Sequence, residues 1–181
     1  MSRKEEKRDK HFPLWGLDNP IRRLYDNPNK YCSLVKNGQV VADLGCGPGY
    51  YTLALAECVG PEGRVYAVDS DDKAIQVVEE KADKRGFHNI EAHSSSASDL
   101  NFIKDESVDF VLTIELLCSM APQNQESAVN EIKRILKPSG LTYIIAARGP
   151  WSYVGQVEWK KILAAFRAER RSDGFPMISD R

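Results

Sequence analysis

From Gln39 onward, short apolar runs alternate with longer segments in which apolar residues recur every three to four positions. Val40, Val41, Ala42, Asp43 and Leu44 form a run that ends at glycines, the pattern of a strand covered on both faces. Residues 50–59 carry Leu53, Leu55, Ala56 and Val59 at helical spacing, Pro61, Glu62 and Gly63 make a turn, and residues 65–68 read as a second strand. In residues 71–85, Ala74, Ile75, Val78 and Ala82 share one helical face. Acidic residues open that helix, and Gly86 sits where a C-terminal glycine cap belongs. Residues 90–93 and 108–114 are the third and fourth strands. A helix over 126–136, with Ala128, Val129, Ile132, Ile135 and Leu136 apolar, is ended by Pro138, Ser139 and Gly140, and a fifth strand covers 141–146. A helix over 154–163 and a further strand over 166–170 follow.

Strands alternating with helices at this spacing predict an α/β fold. The expected form is a Rossmann-like, doubly wound, mostly parallel sheet with helices on both faces and right-handed crossovers. Two parts are expected: residues 1–38, a disordered start and an N-terminal cap, and residues 39–181, the sheet domain. Residues 1–10 are almost all charged or polar. Residues 11–38 carry His11, Phe12, Leu14, Trp15, Leu17, Ile21, Leu24, Tyr25 and Tyr31. That is too much apolar surface to leave in water, so this stretch is expected to pack on the domain.

Composition narrows the class. A chain of 181 residues, 42% hydrophobic and 28% charged, supports one core without disulfides. The net charge of −1 gives no global field toward nucleic acid or anionic lipid, although local patches can hide inside a neutral total. Neither a nucleic acid nor a membrane is therefore expected as partner. None of Cys32, Cys46, Cys58 and Cys118 forms a C-x-x-C pair, so no metal is expected. The charged N-terminus has no apolar stretch behind it, and no run reaches the length of a membrane span. These features read as a cytoplasmic protein with reduced thiols.

The candidate chemistry starts at Gly45, Gly47 and Gly49, directly after the first strand. Glycines there serve a turn whose backbone angles disfavour a side chain, and they allow close approach of a ligand. In an open α/β sheet, ligands bind beyond the C-terminal strand ends, where strand order reverses. A dinucleotide fingerprint, G-x-G-x-x-G, would need a glycine at Tyr50. The spacing here is G-x-G-x-G, and a tyrosine leaves less room for a pyrophosphate than for an adenosylmethionine. Asp69 ends the second strand, where a carboxylate can accept both hydroxyl hydrogens of a ribose. That observation alone fits NAD equally well.

Three stretches, residues 41–49, 65–69 and 131–140, together resemble the class I S-adenosylmethionine-dependent methyltransferases over roughly residues 39–147. Within that class the chain looks like the small-molecule enzymes of the ubiquinone/menaquinone and arsenite type. The resemblance implies S-adenosylmethionine as cofactor and a small-molecule methyl acceptor, with the protein a monomer or homodimer. It also implies roles. Asp43 would hold the turn or meet the cofactor amine through water. The backbone at Gly45, Cys46, Gly47 and Gly49 would form the turn facing the methionine moiety. Asp69 would bind the ribose, with Ser70 beside it. Ser96 and Ala97 would lie at the adenine, Ser96 replacing the aspartate common in the family. Ile114 and Glu115 would lie beside the methionine and the acceptor. Family members usually finish with two more strands, the last antiparallel; here the final one is expected to be missing, or the chain to stop just as it would begin. Ile114, Glu115, Leu116 and Leu117 replace the Asn-Pro-Pro-Tyr pattern of many nucleic-acid amino methyltransferases.

Methyl transfer from a sulfonium is downhill, so alignment and exclusion of water are the main demands, and a base is needed only for a protonated acceptor. No catalytic residue is assigned. Glu115 is the one candidate, to position or deprotonate the acceptor; equally it contacts cofactor backbone or caps the next segment. Cys118 reads as a buried, inert thiol. Arsenite chemistry would need Cys32, Cys46 and Cys118 to converge, which requires the cap to fold over the pocket. Tyr25, Tyr31 and Trp15 either line the mouth or pack the cap. His11 and His93 read as structural or exposed, and Arg148 as solvated or meeting an anionic acceptor. The alternatives to a small-molecule methyltransferase are an RNA or protein methyltransferase, an NAD enzyme, or a non-catalytic adenosylmethionine-binding protein.

Overall fold

A computed structural model of the chain describes residues 8–10, 12–146, 152–166, 168–170 and 176–179. Its centre is a seven-stranded sheet in the order β3-β2-β1-β4-β5-β7-β6. The strands are β1 (Val40–Leu44), β2 (Arg64–Asp69), β3 (Ile90–Ser94), β4 (Val108–Ile114), β5 (Leu136–Ile145), β6 (Ala168–Arg170) and β7 (Pro176–Ser179). Strands β1 to β5 pair in parallel, and β7 lies antiparallel between β5 and β6. The expected loss of the final strand is therefore corrected. Residues 176–179 complete the sheet, and their pairing partner Leu141–Tyr143 lies far away in sequence, beyond the reach of a local pattern.

Alternation along the strands sorts the core onto two faces. Val41, Val65, Phe110, Leu112 and Tyr143 pack with Leu55, Ala56 and Val59 of α3 (Thr52–Val59). Ala42, Leu44, Val68, Val111 and Ile144 face the other way, toward Ala128, Ile132 and Ile135 of α6 (Pro122–Ile135) and Ile162 of α7 (Gln156–Ala165). Helix α4 (Asp72–Arg85) buries Ala74, Ile75, Val78 and Ala82. The Asp71 carboxylate caps its start through Lys73 N–H, and left-handed Gly86 closes its end.

Two boundaries moved for identifiable reasons. Helix α6 begins a turn before residue 126, with Pro122 in its first turn. Its start is capped from outside: Asp9 accepts Ala121 N–H at 2.6 Å and Asn124 Nδ2–H at 3.1 Å. Pro138 to Gly140 do not end this helix, which stops at Ile135. They lie inside β5, where the register jumps from Val108↔Leu136 to Phe110↔Leu141. A proline without an N–H is accommodated at such an irregularity.

The cap holds α1 (Leu14–Leu17), α2 (Arg22–Tyr25) and a 3-10 segment (Pro28–Leu34). Its burial is divided. Tyr31 is buried, edge-on to Tyr51 and tilted against Tyr143. Trp15, Ile21 and Leu24 are instead 79%, 69% and 85% exposed. The expectation that the cap hides its apolar surface fails for these three, because α1 and α2 are single turns anchored by polar groups. Arg22 donates to Leu17 O, to Asp26 at 3.2 Å and to the Tyr51 hydroxyl at 3.0 Å. Cys32 and Cys58 form a disulfide between the 3-10 segment and α3, with Cα atoms 5.6 Å apart. That corrects the expectation of four reduced thiols. The two residues are 26 positions apart, and only the cap's return onto α3 brings them together. Lys10 N–H donates to Ser119 O, after β4, and the Lys10 ammonium stands 3.9 Å from the ring centroid of Tyr153, which lies between β5 and α7.

Candidate cofactor pocket

One pocket opens at the C-terminal ends of β1, β2 and β4, beside the point where the sheet order reverses between β1 and β4. Gly45, Gly47, Asp69, Ser70, Ser96, Ala97, Ile114 and Glu115 all line it. Asp43, Cys46 and Gly49 do not, and each has a task one layer back.

The glycine turn is set by backbone contacts. Gly45 N–H and Cys46 N–H both donate to Val68 O, tying the turn to the end of β2. Gly49 has φ +82°, and a Cβ there would meet Val78 Cγ2 of α4 at 3.1 Å. The third glycine thus serves close helix packing as well as a left-handed backbone. Cys46 is buried, and burial pushes its thiol well above the ordinary range, so the residue contributes backbone and packing. Asp43 is almost fully buried and accepts the Thr52 hydroxyl at 2.6 Å, clamping the end of β1 to the first residue of α3. Burial raises its carboxyl to about 7. Nearby Asp69 adds to the rise, and the Thr52 bonds hold it back.

Asp69 is the oriented acid of the pocket. One carboxylate oxygen accepts Gly47 N–H at 2.8 Å and the other accepts Asp71 N–H at 2.9 Å. An ionised carboxylate has about four acceptor positions, so two remain for a ligand. Ser96 and Ser98 share a 2.7 Å hydroxyl contact, and Asp99 N–H donates to Ser96 O, fixing the short turn that carries Ser96 and Ala97. Glu115 has φ +60°, a left-handed backbone in a residue that is not glycine. Its N–H donates to Ile145 O, and the Cys118 thiol donates to its carbonyl at 3.0 Å and its carboxylate at 3.1 Å. Strain at the end of a central strand is a frequent mark of a functional position.

The remaining wall comes from the N-terminal arm and the start of α5 (Leu116–Ser119): Asp9, Lys10, Phe12, Leu14, Leu116 and Met120 line it. Sequence reasoning did not single these out as site residues. Asp9 and Lys10 sit in a charged stretch, and nothing local shows that it crosses the pocket. Asp71 and Ser95, which also line the pocket, were within reach as neighbours of Ser70 and Ser96.

Tyr50 does not stand in the pocket. It is buried, its hydroxyl donates to Asp26 O, and Arg22 covers its ring at 4.5 Å. The room for a ligand is therefore not set by its side chain, and Tyr50 does not stand in the way of a pyrophosphate. The three thiols do not converge either, since Cys32 is bonded to Cys58. Tyr31 belongs to the core rather than the mouth. His93 stacks on Phe102 at 3.9 Å and reaches Glu91 at 2.9 Å. His11 and Arg148 lie outside the described residues.

Comparison with known proteins fits this geometry. Residues 41–140 match the family described as methyltransferase domain. Over 116 residues the chain is 36% identical to a demethylmenaquinone methyltransferase from Geobacillus stearothermophilus, covering 64% of this chain and 48% of that protein. The chain spans about half the length of the curated relatives it matches. A SAM-dependent methyltransferase from Aquifex aeolicus superposes with a TM-score of 0.78 at 26% identity, covering 93% of this chain and 98% of the other. An arsenic(III) S-adenosylmethionine methyltransferase from Chlamydomonas reinhardtii gives 0.53 at 26% identity, over 59% and 38%.

Proposed function

Since the chain belongs to the methyltransferase-domain family, we propose that it moves a methyl group from S-adenosylmethionine to a small-molecule acceptor by in-line displacement. The observation that carries this reading is the convergence of the glycine turn and the doubly held Asp69 carboxylate on one pocket. The demethylmenaquinone methyltransferase relatives support a small acceptor.

S-adenosylmethionine, when bound, supplies an electrophilic methyl on a sulfonium. The chain's residues bind and orient. Asp69 accepts the ribose hydroxyls through its two unused positions, with Ser70 beside it. Ser96 and Ala97 flank the adenine, and the backbone of Gly45 and Gly47 faces the methionine moiety. Ile114 and Glu115 stand at the reacting end, where Glu115 either holds the acceptor or takes its proton. Phe12, Leu14, Leu116 and Met120 give an apolar wall that excludes water from the acceptor side.

Calorimetry with adenosylhomocysteine and with NAD tests the reading. Micromolar binding of the first and none of the second is expected, and the reverse would overturn it. In Asp69→Ala the loss of charge-assisted bonds, about 1.5–3 kcal/mol each, should weaken adenosylhomocysteine at least about tenfold. Unchanged affinity would refute the ribose role.

A further inference from the structure

Helix α4 meets the glycine turn at two points. Val78 is the first, packed where a Cβ on Gly49 would stand. Lys81, one turn further along the same face, is the second. Its ammonium donates to Pro48 O at 2.6 Å, a carbonyl set between two glycines of the turn. The same ammonium donates to the Asp18 carboxylate at 2.7 Å. Asp18 is the residue that closes α1, and Leu17 before it lines the pocket. A Cβ on Gly47 would stand 3.1 Å from Leu17 Cδ1, so α1 lies against the turn. One cation thus joins a helix of the body, the floor of the pocket and part of its wall.

These contacts are not those of an open surface pair. Pro48 is buried, and the Lys81 and Asp18 side chains are only 30% and 10% exposed. Solvent and salt screen such a pair less than one held in water. Helix α1 is a single turn with no buried residue and no side-chain cap, too short to keep its place unaided. Its seat depends on ties to the rest of the molecule. On the other side of the bridge, a hydrogen bond to Pro48 O fixes the direction of a peptide that packing at Val78 does not orient. The Gly47 N–H taken by Asp69 lies one residue before it.

We propose that Lys81 is a positioning residue of the cofactor pocket: its ammonium seats α1 on the glycine turn, sets the Leu17 wall and the Gly47 floor together, and slows the release of a bound cofactor. The proposal rests on the adenosylmethionine reading of the pocket. Lys81 does not line the pocket and touches no reacting atom. It acts through Pro48 and through α1.

Lys81→Met tests this, because it keeps the length and apolar stem of the side chain while removing charge and donors. In the chain without ligand, hydrogen exchange at the Gly47 and Gly49 amides should quicken at least about fivefold, with the amides of β1 and β4 unchanged. Release of adenosylhomocysteine, followed by stopped-flow displacement, should also quicken at least about fivefold in this variant. Asp18→Asn should quicken release less, since the contact with Pro48 remains. The double variant should release no faster than Lys81→Met, because both changes act through one ammonium. A bridge that serves stability alone would lower the melting temperature and leave the release rate as it was, and that result overturns the proposal. So do unchanged exchange at the two glycines and single effects on release that simply multiply. Exchange is read without ligand, so a chain that binds no adenosylhomocysteine refutes the methyltransferase reading while the bridge is still tested.

Discussion

The turn between β1 and α3 and the cap above it are neighbours built on opposite terms. In the turn, the groups held are backbone N–H: two share Val68 O, and the Asp69 carboxylate takes those of Gly47 and Asp71. In the cap, side chains carry the attachment, through Arg22, Asp26, Tyr50, Tyr51 and the bridge from Cys32 to Cys58. A site held by backbone tolerates change in the side chains around it but not in its own conformation. A region held by side chains can lose one anchor and keep its fold, because the others remain.

That contrast can be broken deliberately. The largest effect is expected from Gly49→Val. It forces a β-branched residue to φ +82° and brings its Cβ against Val78. Left-handed strain of about 1–2 kcal/mol and overpacking of about 1–3 kcal/mol should add, lowering stability in urea melts and abolishing adenosylhomocysteine binding together. Asp26→Ala comes next. Burial pushes that carboxyl up, but Lys30, Tyr51 and Arg22 outweigh it and hold it below its ordinary range. Its removal should cost about 1–3 kcal/mol. Limited proteolysis should then cut the cap first while adenosylhomocysteine affinity changes little. Equal loss of both would show that turn and cap are one unit.

Asp43→Asn gives the smallest and most diagnostic change. The folded carboxyl stands at about 7 against an ordinary 3.8, so between these values the native state keeps a proton that the unfolded chain has released. This group's contribution is therefore complete below pH 4, declines as pH rises through 7, and is level above. In Asp43→Asn, which retains an acceptor for Thr52, melting temperatures between pH 5 and 8 should lose that slope. An unaltered slope would place the proton elsewhere.

The parts legible in the sequence follow the same division. The strands β1, β2 and β4, the glycine turn, Asp69 and the α4 caps are local, and each is written within a few residues of where it acts. What was missed depends on contacts distant along the chain. Asp9 caps α6 across 112 positions. Tyr50 turns to Asp26 across 24, and Cys32 finds Cys58 across 26. The N-terminal wall of the pocket was invisible for the same reason, since Asp9 is held at Ala121 and Lys10 at Ser119, far along the chain. The exposed Trp15 shows the converse error: apolar content predicts burial on average, not the orientation of a single-turn helix.

The place of β7 carries a consequence for the order of assembly. Among the described residues strand β6 pairs with β7 alone, which comes later in the chain. The growing polypeptide therefore makes a strand that has no partner in the sheet until its successor emerges and inserts between it and β5. Closing that gap is a non-local step with a long loop to pay for, and such steps are slow. The parallel half can form while β6 waits, so amides of β6 and β7 should gain protection together, after those of β1 and β4.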